Sequence, residues 1–415
     1  MIYFDHSATT PVDKKVLKAM LPYFKDKFGN ASSIHAFGQE ALAGVDIARG
    51  QIASFLNCEP ENITFTSGAT ESNNLALKGL VKSLRKTRGN ALHIITTKIE
   101  HDAILEPCAE LEREGIEVSY APVDNRGIVI VDELKKMIRE NTVLVSVMYV
   151  NSEVGAIQPI REIGKIIRKI NEKKEVDWRK LGTLERGDKP QSIYFHTDAT
   201  QAANYLNCDV KWNYIDLLSL SAHKIYGPKG VGILYRRSNT PLSALQLGGH
   251  HERNLRSGTL NVPGIVGLGA AVALLGTRRE KGKPTSVQSR LGEKISELRD
   301  YLIDELKKNC VDIILNTDTK SSTPGHAHFT FLGAEGESIL MSLDLEDIAV
   351  STGSACASGS LKPSHVLLAM GIKEEISHQS IRFTLGKYNT KEEVEVLLEK
   401  MQPILSRLRK MNPLY

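Results

Sequence analysis

Short apolar runs alternate along the chain with longer segments in which apolar residues return every third or fourth position. The runs Ile63 to Thr66, Leu92 to Thr96, Val143 to Val147, Ile193 to Phe195, Leu217 to Leu220 and Val231 to Tyr235 have strand length and little polar alternation, as strands buried on both faces do. Between them, Ala41 to Leu56, Leu75 to Leu84, Ala103 to Leu111 and Ile160 to Ile170 carry the i, i+3, i+4 spacing of helices with one buried face. Strand alternating with helix predicts an α/β fold on a largely parallel sheet. From about Val262 the texture changes to longer helical patterns, Leu291 to Leu306 and Lys391 to Leu408, around short strands near Ala327 to Phe331 and Ile381 to Thr384. This predicts a second, smaller α+β domain. Residues 171–192, rich in both charge signs, and 276–289, with a basic Arg-Arg-Glu-Lys-Gly-Lys run, read as inserted surface loops.

Composition adds mainly exclusions. The 415 residues are 41% hydrophobic and 25% charged, and 53 Lys and Arg against 49 Asp and Glu leave a net charge of +4 with no basic tract, which argues against nucleic acid as a partner. Five cysteines, Cys58, Cys108, Cys208, Cys310 and Cys356, are widely spread with no C-x-x-C pair, against both a disulfide framework and a structural zinc site. No signal peptide is visible at the start, and the longest apolar stretch, Gly264 to Gly276, is too short and glycine-broken to span a bilayer. A reducing cytoplasm is the expected compartment.

Three segments bear candidate chemistry. In Ser221-Ala-His-Lys224-Ile-Tyr-Gly-Pro-Lys-Gly a lysine follows a buried-strand pattern; it either snorkels to water or is used as a Schiff-base amine. Asp198 ends the run Tyr194-Phe-His-Thr-Asp, either as a turn residue or as a carboxylate facing a ligand over the sheet. Phe65-Thr-Ser-Gly-Ala-Thr70-Glu is strand, small-residue turn and helix start, a plain cap or a cradle for a phosphate. Two single residues join them. Cys356 stands among small residues in Val350-Ser-Thr-Gly-Ser-Ala-Cys-Ala-Ser-Gly, an inert surface cysteine or an exposed nucleophile, while the other four cysteines lie in or beside regular patterns and read as packing. Arg382 sits in the strand pattern Ser380-Ile-Arg-Phe-Thr, a surface ion-pair partner or a fork for a carboxylate.

Taken in order, these pieces resemble the fold-type I enzymes that use pyridoxal phosphate and, within them, the NifS/IscS-type cysteine desulfurases. The resemblance runs through Tyr3-Phe-Asp-His-Ser-Ala-Thr-Thr-Pro11, Gly29-Asn-Ala-Ser-Ser-Ile-His35, Glu100-His101, Val150-Asn-Ser-Glu-Val-Gly155, Ser221-Ala-His-Lys224, Gly249-His-His-Glu-Arg-Asn-Leu-Arg-Ser-Gly-Thr259 and Ser354-Ala-Cys356, essentially the whole chain. It implies a large domain over 14–261 with a mostly parallel seven-stranded sheet, and a smaller one from 1–13 and 262–415 that carries a cysteine loop near 350–362.

The resemblance also implies roles. Lys224 carries the cofactor and takes the substrate α-proton, Asp198 meets the ring nitrogen, His101 stacks on the ring and exchanges protons, and Gln201 meets the phenolic oxygen. Ala69, Thr70, Ser221 and His223 surround the phosphate, with Thr259 supplied from the neighbouring subunit of a homodimer. Asn151 and Arg382 hold the substrate carboxylate, Asn151 also touching the cofactor. Cys356 becomes a persulfide as L-cysteine turns into L-alanine, and the Ser-Ala-Cys form suggests transfer to an acceptor protein, such as an iron–sulfur scaffold or a tRNA-thiolation enzyme. No intrinsic metal is implied, apart from transient ligation of an iron–sulfur cluster by Cys356. Ser152 stands where the family usually has a second asparagine, and the 171–192 insertion precedes the strand ending in Asp198. Selenocysteine lyase or another class V aminotransferase-like activity is the alternative enzyme reading. A catalytically idle scaffold, from a different class, conflicts with the full set of reactive residues.

Overall fold

The computed structural model describes residues 1–181, 190–276, 282–352 and 363–412. Among them run strands β1 (Ile2–Tyr3), β2 (Ile63–Thr66), β3 (His93–Thr97), β4 (Glu117–Ala121), β5 (Thr142–Ser146), β6 (Tyr194–Asp198), β7 (Leu217–Ser221), β8 (Gly232–Arg236), β9 (Ile313–Leu315), β10 (His326–Phe331), β11 (Ile348–Ala349) and β12 (Ser380–Thr384). Seven form one sheet in the order β2-β8-β7-β6-β5-β3-β4. Pairing from β7 through to β4 is parallel, and β8 alone runs antiparallel to both its neighbours. The α/β fold is the expected one. Strands that match the apolar runs fall within three residues of them, but β1, β4, β9 and β11 were not anticipated. β4 and β9 are edge strands with half-exposed residues, so they lack the continuous apolar run of a central strand, and β1 and β11 are a two-residue pair too short to show one.

Helices cover both faces of the large sheet. On one face Ala36–Leu56, Ile160–Lys180 and Val262–Leu274 share a core with Phe65, Val145, Phe195 and Leu218; on the other, Ala69–Arg88 and Asp102–Arg113 pack on Ile94, Leu144, Leu217 and Leu234. A separate core joins Phe4 to Phe329, Phe331, Phe383 and the helices Ser286–Asn309 and Lys391–Met411, around the antiparallel sheet β12-β10-β9. The N-terminal segment belongs there, since β1 pairs with β11.

Three expectations need correction. Helix Val262–Leu274, assigned by sequence to the smaller domain, buries Val262, Ile265, Leu268, Ala271 and Val272 in the large core, because it is apolar nearly all round and packs on Ala36–Leu56, where Gly269 lets it approach Ala48. Residues 171–180, expected as loop, continue the helix that begins at Ile160. Their apolar stripe has ended, but the pairs Arg168–Glu172 and Glu175–Arg179 at i, i+4 support a solvated extension. In the second supposed loop, Thr285 is buried and caps Ser286–Asn309 in a reciprocal box with Gln288.

Candidate active site

Parallel strands that leave in opposite directions open a crevice at their carboxyl ends. The chain leaves β3 outward to β4 and leaves β5 the other way to β6, and at these ends lies a cavity of about 570 Å³. Of the residues singled out by sequence, Ala69, Thr70, His101, Asp198, Gln201, Ser221, His223, Lys224 and Arg382 line it. Asn151 does not: it is wholly buried between the lining residues Val150 and Ser152, its amide donating to the Ile99 carbonyl and accepting from the backbone N–H of Glu153 and Val154, which shapes the turn. Thr259 is exposed and lies off this wall. Cys356 and most of the 350–362 loop lie outside the described residues.

Each lining side chain is set by its element. Lys224 ends a short helical turn, Ala222–Lys224, directly after β7, and its Nζ donates to the carbonyls of Ser7 and Ala8, each at 2.5 Å. Asp198 closes β6; its carboxylate accepts from Asn73 Nδ2 at 2.7 Å and from the Thr200 N–H at 3.0 Å. Gln201 donates to the Ser7 carbonyl, and His101 caps Asp102–Arg113 through Nδ1, which accepts from the Ala103 N–H at 3.0 Å. That bond fixes the ring on the cavity wall. Ser67 and Gly68 lead into helix Ala69–Arg88, whose first N–H groups have no partner within the helix and face the cavity with its positive end. A Cβ on Gly232 would meet Gly68 Cα at 2.7 Å, so only glycine lets β8 lie this close behind the turn.

Burial separates the titratable groups. His223 is pushed down to about 4 by burial and by the charges of Lys224 and Lys229, so it stands neutral, with Nδ1 on the Thr9 hydroxyl. Glu100 is pushed up to about 8 and Glu153 to about 7, both chiefly by burial. Arg382 reaches the cavity from β12 with one amine on Asp5 at 2.8 Å and one on the Ser152 carbonyl at 3.1 Å, while its Nε has no partner. Burial raises the Cys58 and Cys108 thiols to about 12, leaving them protonated and unreactive; Cys310 is raised too. Among the described residues no His, Cys, Asp and Glu cluster is arranged for a metal, and no helix is long and apolar enough to cross a membrane.

Sequence reasoning missed part of the wall: Ser7, Ala8, Asn73, Met148, Thr200 and Lys229 also line it. Ser7 and Ala8 carried a signal in the small polar run after Tyr3; Asn73 and Thr200, ordinary helix and turn residues by pattern, carried none.

The class V aminotransferase family model matches residues 2–178 and 180–397. The chain belongs to that family. Within this class V aminotransferase family it groups with the cysteine desulfurases: it is 46% identical over 412 residues to the Dictyoglomus turgidum protein named cysteine desulfurase IscS, covering 99% of this chain and 96% of that one. Among solved structures, a NifS-like protein superposes with a TM-score of 0.85 at 37% identity, covering 98% of this chain and 99% of that one. Another, titled SspA in complex with cysteine, gives 0.76 at 35% identity over 94% and 100% of the two chains. The family is a pyridoxal-phosphate family, and this cavity suits the group. It opposes a fixed carboxylate, a strand-end lysine and an open helix N-terminus, and the buried hydroxyl of Thr200 on its wall has no protein partner.

Proposed function

We propose that this chain is a cysteine desulfurase that moves the sulfur of L-cysteine onto Cys356 and releases L-alanine. The observation that carries the reading is one cavity lined together by Lys224, Asp198, His101, Gln201 and Arg382 in a chain whose full-length relatives bear that name. Pyridoxal phosphate, when bound, supplies an electron sink that makes the substrate α-hydrogen acidic. Asp198, anchored by Asn73 and Thr200, holds the ring nitrogen, and Thr70, Ser221, neutral His223 and the N–H groups of Ala69–Arg88 hold the phosphate. His101 faces the ring. Lys224 Nζ takes the α-proton, within reach of the carbonyls of Ser7 and Ala8 that orient it. Arg382, on the cavity wall with one bond to each terminal amine, offers the remaining N–H groups of its guanidinium to the substrate carboxylate. The Cys356 thiolate attacks the substrate sulfur: an S–S bond forms as the C–S bond breaks, and the carbon keeps the electron pair and gains a proton.

The site is completed by a second copy of the chain. Leu21, Phe24, Phe28, Ile34 and Phe37 are exposed apolar residues on the short helix Pro22–Lys25, beside it, and along the loop into Ala36–Leu56, and exposed Thr259 reaches the partner's phosphate site. Downstream, the persulfide passes to an acceptor protein for iron–sulfur cluster assembly or tRNA thiolation, in a reducing compartment such as the cytoplasm that preserves a free thiol. Mass spectrometry after incubation with L-cysteine tests the reading: one added sulfur is expected on Cys356 and none on Cys356→Ala. A Cys356→Ala protein that releases sulfide at the wild-type rate overturns it, as does a Lys224→Ala protein with unchanged visible absorbance and turnover.

A further inference from the structure

Glu100, one residue before His101, is a carboxyl group without a role in the chemistry described so far. It is 1% exposed, and it ties three parts of the molecule together. Its Oε1 accepts from the Thr97 hydroxyl at the end of β3 and from the Met148 N–H just beyond β5, both at 2.8 Å, and its backbone carbonyl accepts from His365 Nε2 at 2.9 Å, at the start of helix His365–Ala369. Its Oε2 is buried with no partner. An ionised carboxylate in that place would leave half its charge unsolvated, with a second carboxylate, Asp198, adding to the repulsion. A carboxylic acid with its proton on Oε2 keeps both bonds at Oε1 and removes the buried charge, leaving only one hydroxyl without an acceptor, a far smaller cost.

We propose that Glu100 is a positioning residue that works as an uncharged carboxylic acid, pinning the turn that carries His101 to the end of β5. Met148 and His101 both line the cavity, so the carboxyl sets the spacing of two parts of one wall. The charged and titratable groups around it are Asp198 from β6, His101 on its own turn, His365 from the following helix and Cys108 on Asp102–Arg113. Asp198 and burial favour the proton; His101 opposes it. Above about pH 8 the group ionises and a second negative charge enters the site beside Asp198.

The role given to His101 rests on the desulfurase reading, so one arm of the test avoids it. Infrared spectra of the cofactor-free protein at neutral pH are expected to show a protonated carboxylic C=O band that vanishes in Glu100→Gln; no such band overturns the proposal. In the holoenzyme, Glu100→Gln, a neutral isostere, is expected to keep kcat and the visible spectrum near wild type and to lose the alkaline fall in kcat centred near pH 8. Glu100→Ala, which releases the turn, is expected to lower kcat by about 10²-fold, the cost of a misplaced side chain, with KM for cysteine little changed. A Glu100→Gln enzyme as damaged as Glu100→Ala, or one with the wild-type alkaline limb, overturns the proposal. Should Glu100→Ala not fold, the Gln variant and the infrared band still decide.

Discussion

Two buried arginines, Arg49 and Arg382, show how the same side chain serves structure in one place and chemistry in another. Arg49 is bound to its own chain: its two amines grip Glu252 at 2.7 and 3.1 Å, one also meets the Ile63 carbonyl at 2.7 Å, and the plane lies over Phe65. Glu252 is equally occupied, accepting from the Phe65 N–H at 2.8 Å, and this holds it in a left-handed conformation at φ 44°. Arg382 has comparable burial but one bond to Asp5, one to a carbonyl, and an Nε with none. A guanidinium paired bidentately with its own chain and away from the cavity serves the fold; one with fewer bonds on the cavity wall has N–H groups left for a ligand.

Acid strains that contrast most. His326 and His328, across the sheet from the Arg382 strand, are pushed down to about 3 by burial and by the Arg382 charge. Their folded values lie below the unfolded value of 6.5, so the stability they allow is complete above pH 6.5 and is lost as pH falls toward 3. The loss is on the order of 5 kcal/mol apiece at most. Glu100 and Glu153, with raised values, work in the opposite sense and gain as pH falls below about 8 and about 7. A melting temperature that declines from pH 6.5 to 4, and declines less in His328→Asn, is the expected result.

Next in size is Glu252→Ala, which strands Arg49 and is expected to cost about 3–5 kcal/mol of unfolding free energy by urea titration, with kcat unaffected where the protein folds. Arg382→Ala reverses the pattern: kcat/KM for cysteine falls by roughly 10²-fold, about 1.5–3 kcal/mol of charge-assisted bonding, mostly as KM. A large loss of stability with unchanged KM would make Arg382 a second Arg49. Smallest is Asp5→Asn, which keeps one acceptor for Arg382 and is expected to raise KM by less than about tenfold, worth about 1 kcal/mol.

The sheet was legible in the sequence because central strands buried on both faces are continuous apolar runs, and the helices because their buried stripes repeat. Edge strand β4 and the polar end of Ile160–Lys180 were not, since their stability comes from pairing and from i, i+4 charges instead of apolar periodicity. In the site, Lys224 and Asp198 stood out as charged groups at the ends of apolar runs. Asn73 looked like any polar helix residue, and its bond to Asp198 spans 125 positions of chain. Asn151 shows the reverse: its motif was visible, while its bonds to three backbone groups were not.

By itself the sequence determined the inventory: an α/β chain, a lysine and an aspartate at strand ends, an open helix start after Gly68, and one cysteine among small residues. Those are local properties, set by neighbours a few positions away. Which polar groups are satisfied and which remain open was decided only by the tertiary structure, because their partners come from far along the chain; Asp5 and Arg382 meet across 377 residues. Burial favours the proton on Glu100 and the meeting of distant strands sets Arg382 on the cavity wall, and no stretch of sequence records the low dielectric that gives those two groups their chemistry.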